Sequence, residues 1–143
     1  MPDVVRLETI ADLQRAENAR DMSVSARLEA VLADERRIVL LDGRGWTASL
    51  RGSGVDVWAT TSEVEIAETA GAVVGPDEAY GGRSQSEMDG GHWTTLAETL
   101  RAQGVDATGD DLRRLPHVVV LSERLRARSV SCRRRQSAAR CQS

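Results

Sequence analysis

The sequence predicts an α+β fold in which helices pack on one face of a small antiparallel sheet of three to four strands. Apolar and polar residues alternate over 37–60, as they do in half-buried strands. Farther along the chain, Trp93, Leu96, Ala97 and Leu100 follow the spacing of an amphipathic helix. Alternating strands have one covered face and one wetter face, so we expect the helices to lie on one side of the sheet.

The chain is expected to open with a helical lead-in. Ile10 and Leu13 have helical spacing, which predicts a helix over 9–18. Ser23 or Ser25 would cap a second helix that continues to about residue 33. The buried side of this second helix would hold Leu28, Val31 and Leu32. The spacing leaves open whether 9–33 forms one bent helix or two.

A three-stranded meander is expected over 37–60. A continuous apolar run over 38–41 stops at the turn-forming segment 42–45. Alternation then resumes over 46–51 and again over 55–60, with glycines at 52–54 marking another turn. Because the connections are so short, the three strands should be antiparallel neighbours.

The second half of the chain is expected to be mainly helical. Ser62 and Glu65 have capping-box spacing, for a helix that ends near Gly71. The helix that contains Trp93 should stop at Gln103 and Gly104. The remaining expected elements are a short helix over 110–115, a strand over 118–121 with a helix as the open alternative, and a last helix capped by Ser122.

Charge divides the 143-residue chain into a predicted α+β domain at 1–128 and a basic tail at 129–143. The tail contains four arginines and no acid, which leaves 15 basic against 22 acidic residues in 1–128, a charge of −7. The tail has no apolar period, so we expect it to be disordered. Its Arg, Ser, Ala and Cys content fits either a native basic arm or a cloning or reading-frame artefact.

The sequence predicts a cytoplasmic bacterial protein with no membrane association. No segment approaches the roughly 20 apolar residues that span a bilayer. The charged N-terminal residues do not resemble a signal peptide. Cys132 and Cys141 both lie in the tail and cannot form a disulfide framework for the domain.

The segment 75–93 is the predicted functional loop, because it contains the only Tyr and one of the two His residues. His92 is the candidate general base, with Asp89 or Glu87 as the acid that orients it. The candidate ligand-binding residues of the same loop are Asp77, Glu78, Tyr80 and Arg83. A structural His beside Trp93 and solvated turn carboxylates are the alternative interpretation.

No metal or cofactor is expected. The sequence lacks HExxH, CxxC and HxH spacings, and its glycines match neither a P-loop nor a dinucleotide fingerprint. His117 follows Pro116 and is predicted to be structural. Nucleic acid is not the expected partner, because 1–128 is acidic and basic contacts would depend mainly on Arg133, Arg134 and Arg135.

Three stretches resemble short uncharacterised proteins of high-GC actinobacteria. They are Arg37–Trp46, Val74–Glu78 and Leu115–Leu125. The absence of Lys and Phe fits a GC-rich genome. The resemblance covers about 1–128 and leaves the tail outside, and it implies no activity, fold or cofactor.

The composition favours a small protein-interaction or regulatory protein, similar to an immunity or antitoxin factor. Its partner would be another protein, basic because 1–128 is acidic, or a second copy of the chain. The alternative is a small enzyme or ligand-binding protein that uses the 75–93 loop, with His92 as base. A second alternative is a weak nucleic-acid binder that acts through the Arg-rich tail.

Overall fold

The computed structural model describes residues 3–15, 20–49, 56–79 and 81–129. A four-stranded sheet and five helices make up this part of the chain. The elements in order are β1 (Val4–Leu13), β2 (Met22–Leu32), β3 (Arg37–Ala48), α1 (Val57–Thr60), α2 (Glu63–Val73), α3 (Gln85–Ala102), α4 (Gly109–Arg114), β4 (His117–Leu121) and α5 (123–129). The fold is therefore α+β, as predicted.

The sheet is mixed, whereas an antiparallel sheet was predicted. The strand order is β3-β2-β1-β4. β1 and β3 each pair antiparallel with β2, and β4 pairs parallel with β1. A parallel neighbour needs a long crossover connection, and the helices between β3 and β4 provide it.

The predicted helical lead-in is wrong, because 4–13 and 22–32 form β1 and β2. The inward positions of β2 are all buried: Met22, Val24, Ala26, Leu28, Ala30 and Leu32. Pairs such as Leu28 and Leu32 are four residues apart, a spacing that fits a helix and is also a multiple of the strand period. Pairing with strands on both sides then overrides the helix propensity of the alanines.

The predicted meander is also wrong in detail. β3 runs without reversal through the expected turn at 42–45, and its register against β2 shifts near Leu28. Gly43 has a φ of 73°, so glycine here permits an irregularity in the strand rather than a hairpin turn. The expected third strand at 55–60 is instead α1 at 57–60, capped by Asp56, and 50–55 lie outside the described residues.

The helix signals of the second half are confirmed. Ser62 and Glu65 form a complete capping box at the start of α2. The helix that contains Trp93 is α3, which begins eight residues earlier than Trp93, at Gln85, with Ser84 as its cap. α4, β4 and the helix after Ser122 occur where they were expected.

The helices cover one face of the sheet. One core cluster joins β2 and β3 residues such as Leu28 and Leu40 to Leu96 and Leu100 of α3. A second cluster joins Met22 and Val24 of β2 to α1, α2 and α5. Both clusters draw their sheet residues from the same side, which leaves the other side of the described sheet without a helix.

Among the described residues, no helix combines the length and the apolar character that crossing a bilayer requires. The predicted tail begins at Ser129, which is buried at the end of α5. The rest of the tail, 130–143, lies outside the described residues, and its predicted disorder stays a prediction.

Candidate functional site

A concavity of about 310 Å³ lies between β3 and α3, and we refer to it as the β3–α3 cleft. Its lining comes from β3, the loop after α2 and the N-terminal half of α3. The lining residues are Leu41, Arg44, Asp77, Arg83, Glu87, Met88, Gly91, His92, Thr95 and Leu96. The structure therefore brings four of the predicted site residues, Asp77, Arg83, Glu87 and His92, to one cleft.

Helix α3 supplies one polar wall of the cleft, because residues from successive turns of the helix line it. Glu87, Gly91 and Thr95 are four residues apart and thus lie on one helix face. Ser84 fixes the start of this helix, since its side chain accepts a hydrogen bond from the backbone N–H of Glu87. A Cβ added at Gly91 would meet no atom of the described residues within 4 Å, so these residues leave the cleft open beside this turn.

An ion pair between Arg44 and Asp77 forms the opposite wall. Arg44 Nη1 donates to Asp77 Oδ1 at 3.3 Å, and the Asp77 side chain is 61% exposed. Both residues also line a second concavity of about 400 Å³, on whose side Glu78 lies. Glu78 is therefore separated from His92 by this ion pair.

The loop that carries Asp77 is held to α3 by the side chain of Gln85. Gln85 Nε2 donates to the backbone carbonyl of Asp77 at 3.1 Å and to Asp89 Oδ1 at 2.8 Å. Gln85 Oε1 accepts from the backbone N–H of Ala79 at 3.1 Å. The carboxylate of Asp89, predicted to orient His92, is thus hydrogen-bonded to Gln85.

His92 is the half-buried imidazole of the cleft. Its Nε2 atom is buried and has no hydrogen-bond partner within the described ranges, and its ring packs edge-on against Trp93 with centroids 5.2 Å apart. Burial lowers the pKa of His92, and the positive charge of Arg44 lowers it further. Asp77 and Asp89 oppose this shift. The imidazole is therefore neutral at neutral pH, and a buried polar nitrogen without a partner is rare in proteins.

Arg83 and Glu87 contribute one positive and one negative charge to the cleft. Among the described residues, neither the guanidinium of Arg83 nor the carboxylate of Glu87 has a hydrogen-bond or ion-pair partner. Tyr80, the remaining predicted ligand-binding residue, lies outside the described residues. The cleft thus offers charges of both signs around a neutral base.

Sequence reasoning missed Arg44 and Gln85 as parts of this site. Arg44 lies in a segment that the sequence indicated as a turn, 33 positions before its partner Asp77. No local signal could have paired them. The loop prediction for 75–93 is wrong from Gln85 onward, because Gln85 is the first residue of α3, and only the folded chain shows which backbone groups its amide contacts.

The second histidine, His117, does not line the β3–α3 cleft. His117 Nε2 lies 2.6 Å from Thr9 Oγ1 across the β1–β4 pair, and burial lowers its pKa. This arrangement ties two strands together, which agrees with the predicted structural role. In the described part of the chain, no three His, Cys, Asp or Glu residues are grouped so that they could hold a metal ion.

Comparison with known proteins identifies no relative. No protein-family model matches the chain. No curated protein matches it in sequence, and no solved structure matches it.

Proposed function

We propose that this protein binds a small zwitterionic ligand in the β3–α3 cleft, with His92 as the central hydrogen-bonding group. The observation that carries the proposal is that Arg83, Glu87, the Arg44–Asp77 pair and His92 line one cleft, and that Nε2 of His92 has no hydrogen-bond partner among the described residues. Ligand pockets combine apolar surface with a few convergent polar groups, and Leu41, Met88 and Leu96 provide the apolar part here.

The charges of the cleft define the ligand class. Arg83 is suited to an anionic group, because a guanidinium binds a carboxylate or phosphate with two parallel hydrogen bonds. Glu87 is suited to an ammonium group. The volume of about 310 Å³ is at the small end of ligand pockets, so the ligand has the size of an amino acid rather than of a dinucleotide.

The neutral state of His92 decides its role toward the ligand. A neutral imidazole has one donor and one acceptor nitrogen, so Nε2 can satisfy a ligand donor or acceptor according to its tautomer. The same neutral nitrogen can take a proton from a bound ligand, which is the general-base role predicted from the sequence. Binding requires only the first of these properties.

The test is a thermal-unfolding screen of the full chain with free α-amino acids and with phosphoethanolamine. A ligand at about 100 times its Kd should raise the unfolding midpoint by about 9 °C. Arg83→Gln and His92→Ala should abolish this increase. Glu98→Gln serves as the matched control, because Glu98 is an exposed residue of α3 outside the cleft lining.

Two results would contradict the proposal. One is a screen in which no zwitterion shifts the midpoint. The other is a shift of equal size in wild type, Arg83→Gln and His92→Ala, since binding would then take place away from the cleft.

A further inference from the structure

The side of the sheet on which no described helix packs is organised around charged side chains, and we refer to it as the open sheet face. Its charged centre consists of Arg6 and Glu8 on β1, Arg27 and Glu29 on β2, and Arg37 on β3. Val39 and Val118 flank this centre, and they are 46% and 44% exposed. The face is thus a charged strip with apolar margins.

Two carboxylates face each other at the middle of this strip. Glu8 and Glu29 are direct cross-strand partners, an arrangement that like charges normally destabilise. Arg37 compensates by donating to both, from Nη2 to Glu8 at 3.0 Å and from Nη1 to Glu29 at 3.1 Å. The carboxylate side chains are only 8% exposed, so they lie beneath the arginines.

Arg6 and Arg27 bind these carboxylates in a way that leaves most of each guanidinium unused. Arg6 donates its Nε to Glu8 at 2.9 Å, and Arg27 donates its Nε to Glu29 at 2.6 Å. In the described part of the chain, the terminal Nη atoms of both arginines have no partner. With side chains 41% and 43% exposed, Arg6 and Arg27 present two oriented guanidinium groups to solvent.

The spacing of these two arginines is fixed by the strand register. Arg6 lies on the same strand as Ile10, which is the cross-strand partner of Arg27. The two arginines are therefore four positions apart along the strand direction, roughly 13 Å at the rise of an extended strand. Two carboxylates four residues apart on an extended segment would match this spacing.

The charge of the face indicates an acidic occupant. Three arginines surround two glutamates, while Asp12 at the margin is neutralised by Arg124 at 2.7 Å. The chain does not supply such an occupant from its other parts, since the residues outside the described ranges contain one acid, Glu17. The described face also lacks the aromatic side chains on which single-stranded nucleic acids stack.

We propose that the open sheet face binds an extended acidic segment of a partner protein, whose carboxylates pair with Arg6 and Arg27. The charge of this face favours an acidic partner, whereas the overall charge of 1–128 led to the expectation of a basic one. The face lies on the opposite side of the sheet from the β3–α3 cleft. Failure of either proposal therefore leaves the other intact.

The test uses a fluorescent peptide, of extended-strand composition, that carries two glutamates four residues apart. Its binding to the full chain is measured by fluorescence anisotropy at low ionic strength. Arg6→Gln combined with Arg27→Gln should weaken binding by at least about tenfold. The matched control, Arg113→Gln combined with Arg126→Gln, removes the same charge from exposed positions on α4 and α5 and should change affinity by less than about twofold.

A second pair of variants covers the case in which the glutamine pair fails to fold. Arg6→Lys combined with Arg27→Lys keeps both charges but removes the forked donor geometry, so binding should weaken by about threefold or more. If the lysine variant binds the peptide with wild-type affinity, the arginines do not recognise carboxylates through paired guanidinium N–H donors.

Three further results would overturn the proposal. Equal binding of a peptide with glutamines in place of the glutamates would exclude carboxylate recognition. A dimer seen by sedimentation that the Arg6 and Arg27 variants dissociate would assign the face to a second copy. Displacement of the peptide by a short oligonucleotide that needs the same arginines would assign it to phosphates.

Discussion

Arg44 and Asp77 form a 3.3 Å ion pair that joins the middle of β3 to the loop after α2 and separates two concavities. The two charges act on the pKa of His92 in opposite directions. Arg44 adds to the lowering caused by burial, and Asp77 opposes it. The pair thus adjusts the protonation of the imidazole that lies in the cleft beside it.

This arrangement of charges predicts that two variants shift the pKa of His92 in opposite directions. Arg44→Gln should raise the pKa of His92 toward its ordinary value, because a repelling positive charge is removed. Asp77→Asn should lower the pKa further. The measurement is an NMR titration of the histidine ring protons, with His117 as the internal control, since burial alone lowers its pKa. Shifts of the same sign in both variants would contradict this arrangement of charges.

The carboxylate of Asp12 predicts a stability change at acid pH. Arg124 and Ser122 hydrogen-bond to Asp12 and lower its pKa to about 2 from an ordinary 3.8. Because the folded-state pKa is the lower one, this stabilisation is present above pH 3.8 and is lost as the pH falls toward about 2. The Asp12 side chain is 38% exposed, so solvent screening reduces the contribution to about 1 kcal/mol.

Urea unfolding at a series of pH values measures this contribution. Asp12→Asn should be about 1 kcal/mol less stable than wild type at neutral pH, and the difference should disappear near pH 2. Asp106→Asn is the control, because Asp106 is exposed and its carboxylate accepts no hydrogen bond from the described residues. A pH-independent difference for Asp12→Asn would show that its carboxylate is not the stabilising group.

Local signals explain the elements that could be predicted from the sequence. The capping box of Ser62 and Glu65 and the apolar stripe from Trp93 to Leu100 depend on residues within two turns of each other. β2 could not be predicted from local spacing, because Leu28 and Leu32 fit the period of a helix and the period of a strand equally well. Only its pairing with β1 and β3 determines the outcome.

The candidate site likewise contains some residues that the local sequence indicated and others that only the fold brings to it. The composition of 75–93 was sufficient to single out His92, Asp77 and Arg83, which all line the cleft, although residues 85–93 belong to α3 and not to a loop as predicted. The contribution of Arg44 depends on the irregular course of β3, where the sequence indicated a turn. The open sheet face was not predicted at all, since Arg6 and Arg27 were assigned to helices or their flanks.

Two neighbouring glycines of β3 provide a paired test of that irregular course. A Cβ added at Gly45 would overlap the backbone carbonyl of Val24, whereas one added at Gly43 would meet nothing within 4 Å. Gly45→Ala should therefore destabilise the fold by about 2 kcal/mol or more, because backbone must move. Gly43→Ala should cost only the strain of its positive φ, about 1 kcal/mol.

Urea unfolding of both variants measures how much each substitution lowers the free energy of unfolding. The ratio of the two effects is the informative quantity, since each variant adds one methyl group to the same strand. Equal destabilisation would mean that β3 does not approach β2 as closely at Gly45 as the structure shows.

A buried ion pair joins the last described helix to α1. Arg128 Nη2 donates to Asp56 Oδ2 at 2.8 Å, and the Asp56 side chain is only 3% exposed. The other carboxylate oxygen of Asp56 accepts from the backbone N–H of Trp58 at 2.9 Å. The guanidinium of Arg128 also lies 5.1 Å from the centroid of the Trp58 ring, within cation–π range.

Removing the guanidinium should leave a buried carboxylate without its main counter-charge. Arg128→Met, which retains an unbranched apolar chain, should therefore destabilise the protein by about 3 kcal/mol. Adding Asp56→Asn should recover part of this loss, because the amide keeps the cap of α1 but carries no charge. Far-UV circular dichroism in urea measures all three proteins. If Arg128→Met unfolds at the wild-type urea concentration, the pair contributes nothing to stability, and packing alone holds α5 against α1.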